Sequence, residues 1–464
     1  MSSLSIRLSV VLVVLSIFWS AASAVRSSTL HLARSPRSVS PDAGAPPVTT
    51  WAATLAAQLA ADAARLAMLA SSGPDILQNA KRRRHRSFVP IAPGRQILSI
   101  PNYIARARLG TPPQTLLVAI DPSNDAAWVP CTGCTGCATA SSSLAPPFSP
   151  TQSSMYRPVR CGSPQCSQVP SPSCPGGVGS SCAFNLSYAG STFQALLGQD
   201  TLALETDNDV VVASSYTFGC LHHVITSTSG SSMPPQGLIG FGRGPLSFMS
   251  QTKDVFGSVF SYCLPNYKSS NFSGTLRLGP TGQPRRIKTT PLLSNPHRPS
   301  LYYVNLTGVR VGGRNVPLPP SALALFDPAN GGTIVDAGTM FTRLAAPVYA
   351  AVRDAFRRRV RAAVAPPLGG FDTCYSYNVT TTVSIVVPTV TFVFAGPVAV
   401  TLPEENVMIH SSSGGIACLA MAAGPVDGVN AGLNVLASMQ QQNHRVLFDV
   451  ANGRVGFSRE RCTA

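Results

Sequence analysis

The sequence predicts a mainly β protein built from two similar lobes. Its 464 residues include 78 glycines and prolines (38 + 40), and these turn residues separate short apolar or alternating runs typical of strands. A chain of this length usually forms more than one compact unit. A third observation is a repeated pattern, in which an apolar strand ends in an aspartate and enters a tight loop of small residues, at Asp121 and again at Asp336.

The two aspartate loops lie 215 positions apart (336 − 121), which is too far for one local motif and suits one loop from each lobe. Their sequences are LLVAIDPSNDAAWVP at 116–130 and TIVDAGTMFTRL at 333–344. Two carboxyl groups held close together share one proton and titrate as a coupled pair. Such a pair can activate a water for attack on an amide, without a metal or other cofactor.

With the GTPPQ turn at 110–114 and the apolar, glycine-rich segment at 237–251, these loops resemble those of the pepsin-like aspartic proteases. The resemblance is to the secreted plant branch, similar to the nepenthesins and the apoplastic aspartyl proteases. It implies a bilobal fold with the active-site cleft between the lobes and Asp121 and Asp336 as the catalytic dyad. The segment near the end of the chain is similar to the 237–251 segment, with Ala437 where many members have glycine.

The chain divides into four predicted parts. Residues 1–24 hold one arginine, an apolar run and an A-x-A site, as in a signal peptide, with a plastid transit peptide as the alternative. The apolar run of about 12 residues is shorter than the roughly 20 that span a bilayer, so no membrane anchor is expected. A propeptide is expected over 25–88, with an amphipathic helix on Leu55, Leu59, Ala63 and Leu66. The lobes are expected at 89–280 and 300–464.

Twelve cysteines in an exported chain indicate a disulfide framework. Seven fall in a cysteine-rich insertion at 131–182, where no histidine pattern accompanies them and no metal site is expected. The family resemblance implies the pairs Cys131–Cys220, Cys263–Cys462 and Cys374–Cys418. Four N-x-S/T sequons mark candidate glycosylation sites at Asn185, Asn271, Asn305 and Asn378.

The resemblance also assigns roles around the dyad. Tyr188 matches the tyrosine of the flap that closes over substrate, in a Y-A-G-S turn one residue shorter than in many members, and Trp128 matches the tryptophan beneath it. Ser123, Asn124, Gly338 and Thr339 are the expected supports of the two loops, with Asn124 and Thr339 bonding the outer carboxylate oxygens.

Both loops depart from the family at the position after the aspartate. Pro122 and Ala337 stand where most members carry a hydroxyl that bonds across to the other loop. A crossing hydrogen bond of this kind is worth about 1 kcal/mol, so these two substitutions weaken the expectation of full activity.

Charge adds little, since the first 88 residues hold 10 Lys/Arg and 3 Asp/Glu, leaving 25 (35 − 10) against 16 (19 − 3) for the remainder. The arginines at 357–361 follow a helical stripe of buried residues and are expected on a solvated face, so nucleic acid is not an expected partner.

The sequence therefore predicts a secreted, monomeric aspartic endopeptidase of the apoplast that acts on proteins or peptides at acid pH. The vacuole or the plastid is the alternative location. A protease-like binding protein, similar to the plant inhibitors of microbial glycanases, is the second hypothesis. A plastid DNA-binding protease is the third.

Overall fold

The computed structural model describes residues 51–68, 87–138, 144–206, 210–226, 233–319, 331–377, 385–411 and 415–462. The predicted signal peptide, the basic run at 81–86 and the sequon at Asn378 lie outside these residues. The described residues all fall within one unit, Thr49–Ala464.

Strands dominate the described chain, as predicted. In chain order, β1 to β27 are Ser87–Pro93, Tyr103–Leu109, Gln114–Asp121, Trp128–Thr135, Arg157–Pro158, Ala183–Tyr188, Ser191–Glu205, Val210–Thr226, Leu238–Gly240, Val259–Cys263, Gly274–Leu278, Lys288–Pro291, Tyr303–Val304, Leu306–Val311, Arg314–Asn315, Gly331–Val335, Thr342–Leu344, Ala363–Ala365, Cys374–Ser376, Val390–Phe394, Ala399–Thr401, Met408–His410, Ile416–Leu419, Met421–Ala423, Gly432–Leu436, His444–Asp449 and Arg454–Arg459.

Helices are few and mostly short in the described chain. In order, α1 to α6 are Trp51–Met68, Gly94–Ile97, Phe248–Gln251, Lys253–Phe256, Ala346–Arg357 and Ser438–Gln441. No helix within the described residues is long and apolar enough to cross a membrane.

The same local plan positions each aspartate. In the first lobe β3 ends at Asp121 and runs parallel to β9, with Asp121 opposite Gly240. In the second lobe β16 ends just before Asp336 and runs parallel to β25, with Val335 opposite Leu436. Each aspartate therefore leaves the end of a buried strand that a later strand of its own lobe supports, which is the bilobal arrangement the sequence predicts.

The largest sheet has 14 strands and draws on both halves of the chain. Its order along one stretch is β27-β26-β10-β11-β1-β2, so the last two strands of the chain pair beside the strands that close the first lobe. The remaining strands of the second lobe form a five-stranded sheet that contains β16 and β25, and two four-stranded sheets.

The α5 helix packs its apolar stripe into the core, as predicted. Val348, Val352 and Phe356 are completely buried, and Val360 just beyond the helix is also buried. Arg357 and Arg358 are exposed beside them, which places the basic run on the solvated face.

The cysteines form six disulfides. Three join the pairs implied by the family resemblance, Cys131–Cys220, Cys263–Cys462 and Cys374–Cys418. The other three staple the insertion locally, at Cys134–Cys137, Cys161–Cys174 and Cys166–Cys182. Among the described sequons, Asn185 and Asn271 are exposed and Asn305 is half-buried.

Candidate active site

The Asp121 carboxyl is held by the loop that follows β3. It is completely buried, and its Oδ1 accepts a hydrogen bond from the Ser123 backbone N–H at 2.9 Å. Its backbone carbonyl accepts from Phe241 N at 2.7 Å, so the 237–251 segment packs beneath this loop as expected.

The Asp336 carboxyl is held more firmly by its own loop. Gly338 N donates to Oδ1 at 2.9 Å, while Thr339 donates to Oδ2 from both its backbone N at 3.0 Å and its Oγ1 at 2.6 Å. The carboxylate of Asp336 thus accepts three hydrogen bonds from its loop, against one for Asp121.

The two loops meet at Gly338. A Cβ at this position would lie 2.7 Å from Asp121 Oδ1, closer than real Cβ contacts occur. Only glycine allows the second loop to approach the first carboxylate this closely, which brings together the two aspartates that the sequence places 215 positions apart.

A single guanidinium from α1 joins both carboxylates. Arg65 donates through Nη1 to Asp121 Oδ2 at 2.6 Å and through Nη2 to Asp121 Oδ1. It also donates to Asp336, through Nε to Oδ2 at 3.1 Å and through Nη2 to Oδ1 at 3.2 Å. Because Arg65 is itself buried, its guanidinium occupies the space between the carboxylates.

The rest of α1 follows the cleft wall of the second lobe. Leu55 and Leu59 pack in an apolar cluster with Met340 and Phe341, and Leu66 packs with Leu301 and its neighbours. Asn430 Nδ2 donates to the Leu66 carbonyl near the end of the helix. The predicted amphipathic helix is therefore present, but Ala63 is exposed. Its inclusion in the buried stripe was wrong, because the stripe continues through Asp62 and Arg65 instead.

Burial and charge move the two carboxyl groups in opposite directions. Burial is the largest influence on Asp121 and raises its pKa above the ordinary value; Arg65 opposes this shift and Asp336 adds to it. Burial also opposes ionisation of Asp336, but Arg65 and the hydrogen bonds from Thr339 and Gly338 outweigh it and lower the pKa. With Arg65 in place, Asp121 is therefore the more readily protonated carboxyl group and Asp336 the more readily ionised one.

Comparisons with known proteins identify relatives of this chain. Family models described as the xylanase inhibitor N-terminal and C-terminal domains match residues 103–280 and 301–459. "Aspartyl protease AED3" of Arabidopsis thaliana is 50% identical over 377 residues, covering 81% of this chain and 80% of that protein. "Aspartyl protease 25" of Oryza sativa subsp. japonica is 47% identical, covering 81% and 85%.

The chain belongs to the plant pepsin-like aspartic protease family. "Aspartic proteinase nepenthesin-2" of Nepenthes gracilis is 33% identical over 78% of both chains. The crystal structure of soybean basic 7S globulin, at 22% identity, superposes with a TM-score of 0.60 over 82% of this chain and 98% of the globulin. This last likeness is one of fold.

The flap expected of such a protease is a hairpin of β6 and β7. Tyr188 pairs with Ser191, and the connecting residues Ala189 and Gly190 both have positive φ, at 48° and 82°. This is the conformation of a two-residue turn that follows the twist of the strands, and it explains why the Y-A-G-S flap is one residue shorter. The Tyr188 ring lies beside the guanidinium that joins the two carboxylates, with Arg65 Cζ 5.3 Å from the ring centre.

Trp128 lies beneath the flap as expected, with its ring centre 5.8 Å from that of Tyr188 in an edge-on contact. The Tyr188 hydroxyl accepts its hydrogen bond from Asn102 Nδ2 at 2.8 Å, however, and not from the tryptophan. Asn102 is buried, and sequence reasoning did not identify it because an asparagine before a strand ordinarily indicates a turn.

Removing the Asn102–Tyr188 hydrogen bond should lower the rate of peptide cleavage about fivefold. Such a bond is worth about 1 kcal/mol, and losing it frees the flap tyrosine. Asn102→Leu and Tyr188→Phe should each show this loss in kcat/KM, and the double variant should lose no more than either one, because both remove the same bond. Additive losses would show that the two side chains act separately.

Of the residues predicted to support the two loops, some contact the carboxylates and one does not. Ser123, Gly338 and Thr339 contact the carboxylates directly. Asn124 does not fit its predicted role, because its Oδ1 accepts from Ala126 N at 3.1 Å and so stabilises the turn instead. Pro122 and Ala337 are buried beside the dyad without a side-chain donor.

Restoring the two missing hydroxyls should raise the acid-pH rate. We expect Pro122→Thr with Ala337→Ser to gain roughly 10-fold or more in kcat/KM, since two hydrogen bonds at about 1 kcal/mol each would hold the carboxylates in place. Each single substitution should raise kcat/KM by less than half of the gain of the double variant, because the two hydroxyls stabilise the same pair of loops and act together. Thermal unfolding must be measured beside the kinetics, because replacing proline also frees a fixed φ. A folded double variant no faster than its parent would mean that the dyad is already well placed.

Proposed function

We propose that this protein is an aspartic endopeptidase that hydrolyses protein or peptide substrates at acid pH and is made as a zymogen. The observation that carries the proposal is the pair of buried carboxylates at the ends of matching strands, held by one guanidinium. A fold kept only for binding has no need to bring two buried acids together, because their mutual repulsion and desolvation are costly.

In the proposed reaction, ionised Asp336 takes a proton from a water that attacks the scissile carbonyl. Asp121, whose pKa burial raises, donates its proton to the carbonyl oxygen. Asp336 then passes the proton taken from water to the leaving nitrogen, and Asp121 takes its proton back as the carbonyl re-forms, so both carboxyl groups return to their starting states. Tyr188 and Trp128 close over the substrate from the first lobe. The three hydrogen bonds that Asp336 accepts from Gly338 and Thr339 remain when Arg65 leaves and favour its ionised form, which suits this division of acid and base.

The zymogen part of the proposal rests on α1. With Arg65 between the carboxylates, neither a water nor a carbonyl can enter, so α1 must leave before catalysis. The predicted signal peptide, the sequons and the six disulfides support export to an oxidising compartment such as the apoplast, with the enzyme acting there as a monomer.

The alternative is a protease-like protein that binds a microbial glycanase. The matching family models carry the description of xylanase inhibitor domains, and both bracing hydroxyls are missing at Pro122 and Ala337. This candidate accounts for the altered loops but not for the retained carboxylates, the flap tyrosine or the arginine that blocks the dyad.

One experiment separates the two candidates. The purified full chain should be brought to acid pH and then given a denatured protein substrate, with and without the transition-state analogue pepstatin. The protease proposal expects cleavage that pepstatin stops. If the substrate stays intact after long incubation and the immobilised protein retains a xylanase or glucanase, the protease proposal is wrong and the inhibitor proposal is supported.

A further inference from the structure

Besides the dyad, α1 fills a second polar position in the cleft. Asp62, one helical turn before Arg65, is buried and places its two carboxylate oxygens on two consecutive backbone N–H groups. Met340 N donates to Oδ1 at 3.0 Å and Phe341 N donates to Oδ2 at 3.0 Å. These amides follow directly after the Gly338 and Thr339 amides that hold Asp336, so the loop binds two carboxylates side by side.

A guanidinium lies beside this position. Arg343 is fixed by Nη1, which donates to the Ala423 carbonyl at 3.1 Å on a strand of the second lobe. Its Nη2 donates to the Leu59 carbonyl of α1 at 2.9 Å, and its Nε has no hydrogen-bond partner among the residues that the structure describes. Arg343 also has the largest favourable charge effect on Asp62, ahead of Arg65, and so opposes the rise in the Asp62 pKa that burial causes.

Departure of α1 would leave these donors without acceptors. The amides of Met340 and Phe341 would lose Asp62, and Arg343 would lose the Leu59 carbonyl. A single substrate carbonyl offers one oxygen and no charge, whereas a carboxylate offers two oxygens and complements the guanidinium. Backbone N–H groups arranged in this way bind carboxylates in other proteins.

We propose that this position is a subsite for a carboxylate of the substrate, formed by the amides of Met340 and Phe341 with Arg343. The inference rests on the proposed function, since it names a substrate class for the same cleft. Asp62 and Arg65 are three residues apart, which is about 4.5 Å along a helix. An extended peptide advances about 3.3 Å per residue, so the acidic residue belongs one or two positions from the bond that is cut.

The test uses two matched series of fluorogenic peptides and the acid-activated protein. In one series a glutamate is moved through the three positions on each side of the cleaved bond, and in the other a glutamine takes its place. At about pH 5 a free glutamate is mostly ionised. We expect kcat/KM to favour glutamate over glutamine about 10-fold or more at one position near the bond. Equal rates at every position would overturn the proposal.

Variants of Arg343 test whether this residue causes the preference for glutamate over glutamine. In Arg343→Met the glutamate-to-glutamine ratio should fall towards one, and in Arg343→Lys part of it should return. The matched control is Arg353→Met, on the outer side of α5, which should keep the wild-type ratio. A preference that survives in a folded Arg343→Met variant would also overturn the proposal.

A binding measurement separates failure of this inference from failure of the proposed function. A labelled peptide of residues 51–68 should bind the acid-activated protein about 10-fold more tightly than its Asp62→Asn form, by fluorescence anisotropy at about pH 5, below the pKa of about 6 that Asp62 has in this position. Equal binding of the two peptides would count against the subsite even if no peptide were cleaved. An absence of cleavage with unequal binding would count against the protease reaction alone.

Discussion

Asp336→Asn should abolish peptide cleavage at every pH while leaving the protein folded. An asparagine keeps the shape of the side chain, and its one oxygen can accept from Gly338 or from Thr339, which donate to different oxygens of Asp336. It cannot take a proton from water. Loss of a general base together with its coupled partner costs on the order of 1,000-fold or more in kcat. The measurement is the cleavage rate of a fluorogenic peptide after acid treatment, with thermal unfolding as the check on folding.

Asp354→Asn is the matched control, because this carboxyl lies on α5 and is half-exposed, pairing only with Arg353 in the described residues. It should leave the rate unchanged. Asp121→Asn should match Asp336→Asn, and the double variant should lose little more, since the two carboxylates act as one unit. Substantial activity in a folded Asp336→Asn variant would rule out the dyad chemistry.

Arg65→Met should release α1 near neutral pH, where the parent protein stays latent. Methionine matches the length of the arginine stem but leaves two buried carboxylates without a counter-charge. Removing one partner of a buried ion pair costs about 3–5 kcal/mol, which corresponds to a shift of roughly 100-fold or more between blocked and open forms. The measurement is peptide cleavage at pH 6 without acid pre-treatment, beside limited proteolysis that reports exposure of α1.

The matched control for this change is Arg361→Met, an exposed arginine beyond α5 that should leave latency intact. Arg65→Lys should give an intermediate result, since lysine keeps the charge but cannot bridge both carboxylates with a planar fork. If Arg65→Met were as latent as the parent at pH 6, the apolar contacts of Leu55, Leu59 and Leu66 would be the main lock instead.

The pKa shifts define the pH range over which the parent should open. The pKa of Asp336 is lowered in the blocked form, so the stabilisation it gives α1 is complete above its ordinary pKa of about 4 and is lost as the pH falls through the lowered value. Burial raises the pKa of Asp62 to about 6, so its contribution has the opposite sign: it is complete at low pH and declines as the pH rises through about 6. The pKa of Asp121 is also raised, so its contribution has the same sign as that of Asp62. Acid release of α1 must therefore come from Asp336, below about pH 4.

The sequence predicts much of this site because its signals are local. An aspartate at the end of an apolar strand, followed by small residues, can be recognised from its neighbours in the sequence. The family resemblance then assigns roles to Tyr188 and Trp128. What the sequence does not show is which distant groups meet. Asp62 and Arg65 are the only charged residues of α1, and that isolation was the available signal, but their partners lie more than 50 positions away or on the other lobe.

Asn124 shows a second reason why the sequence did not predict the whole site. Its position favours a bond to the carboxylate in the family pattern, but an asparagine can equally close its own turn through a backbone N–H two residues on, as it does with Ala126. Choosing between these partners depends on the path of the loop after Pro122. That path is set by packing against the 237–251 segment and cannot be read from neighbouring residues alone.

The placement of β26 and β27 beside β10 in the 14-stranded sheet has a consequence for biosynthesis. A ribosome completes the first lobe long before it reaches His444. One edge of β10 therefore stays unpaired while nearly 200 more residues are synthesised. Until then the first lobe exposes an open strand edge of the kind that recruits other chains, and Cys263 lacks its partner Cys462, 199 positions away. We expect a ribosome-stalled or truncated product lacking the last 25 residues to depend on chaperones and to aggregate, even though the residues of the first lobe are all present.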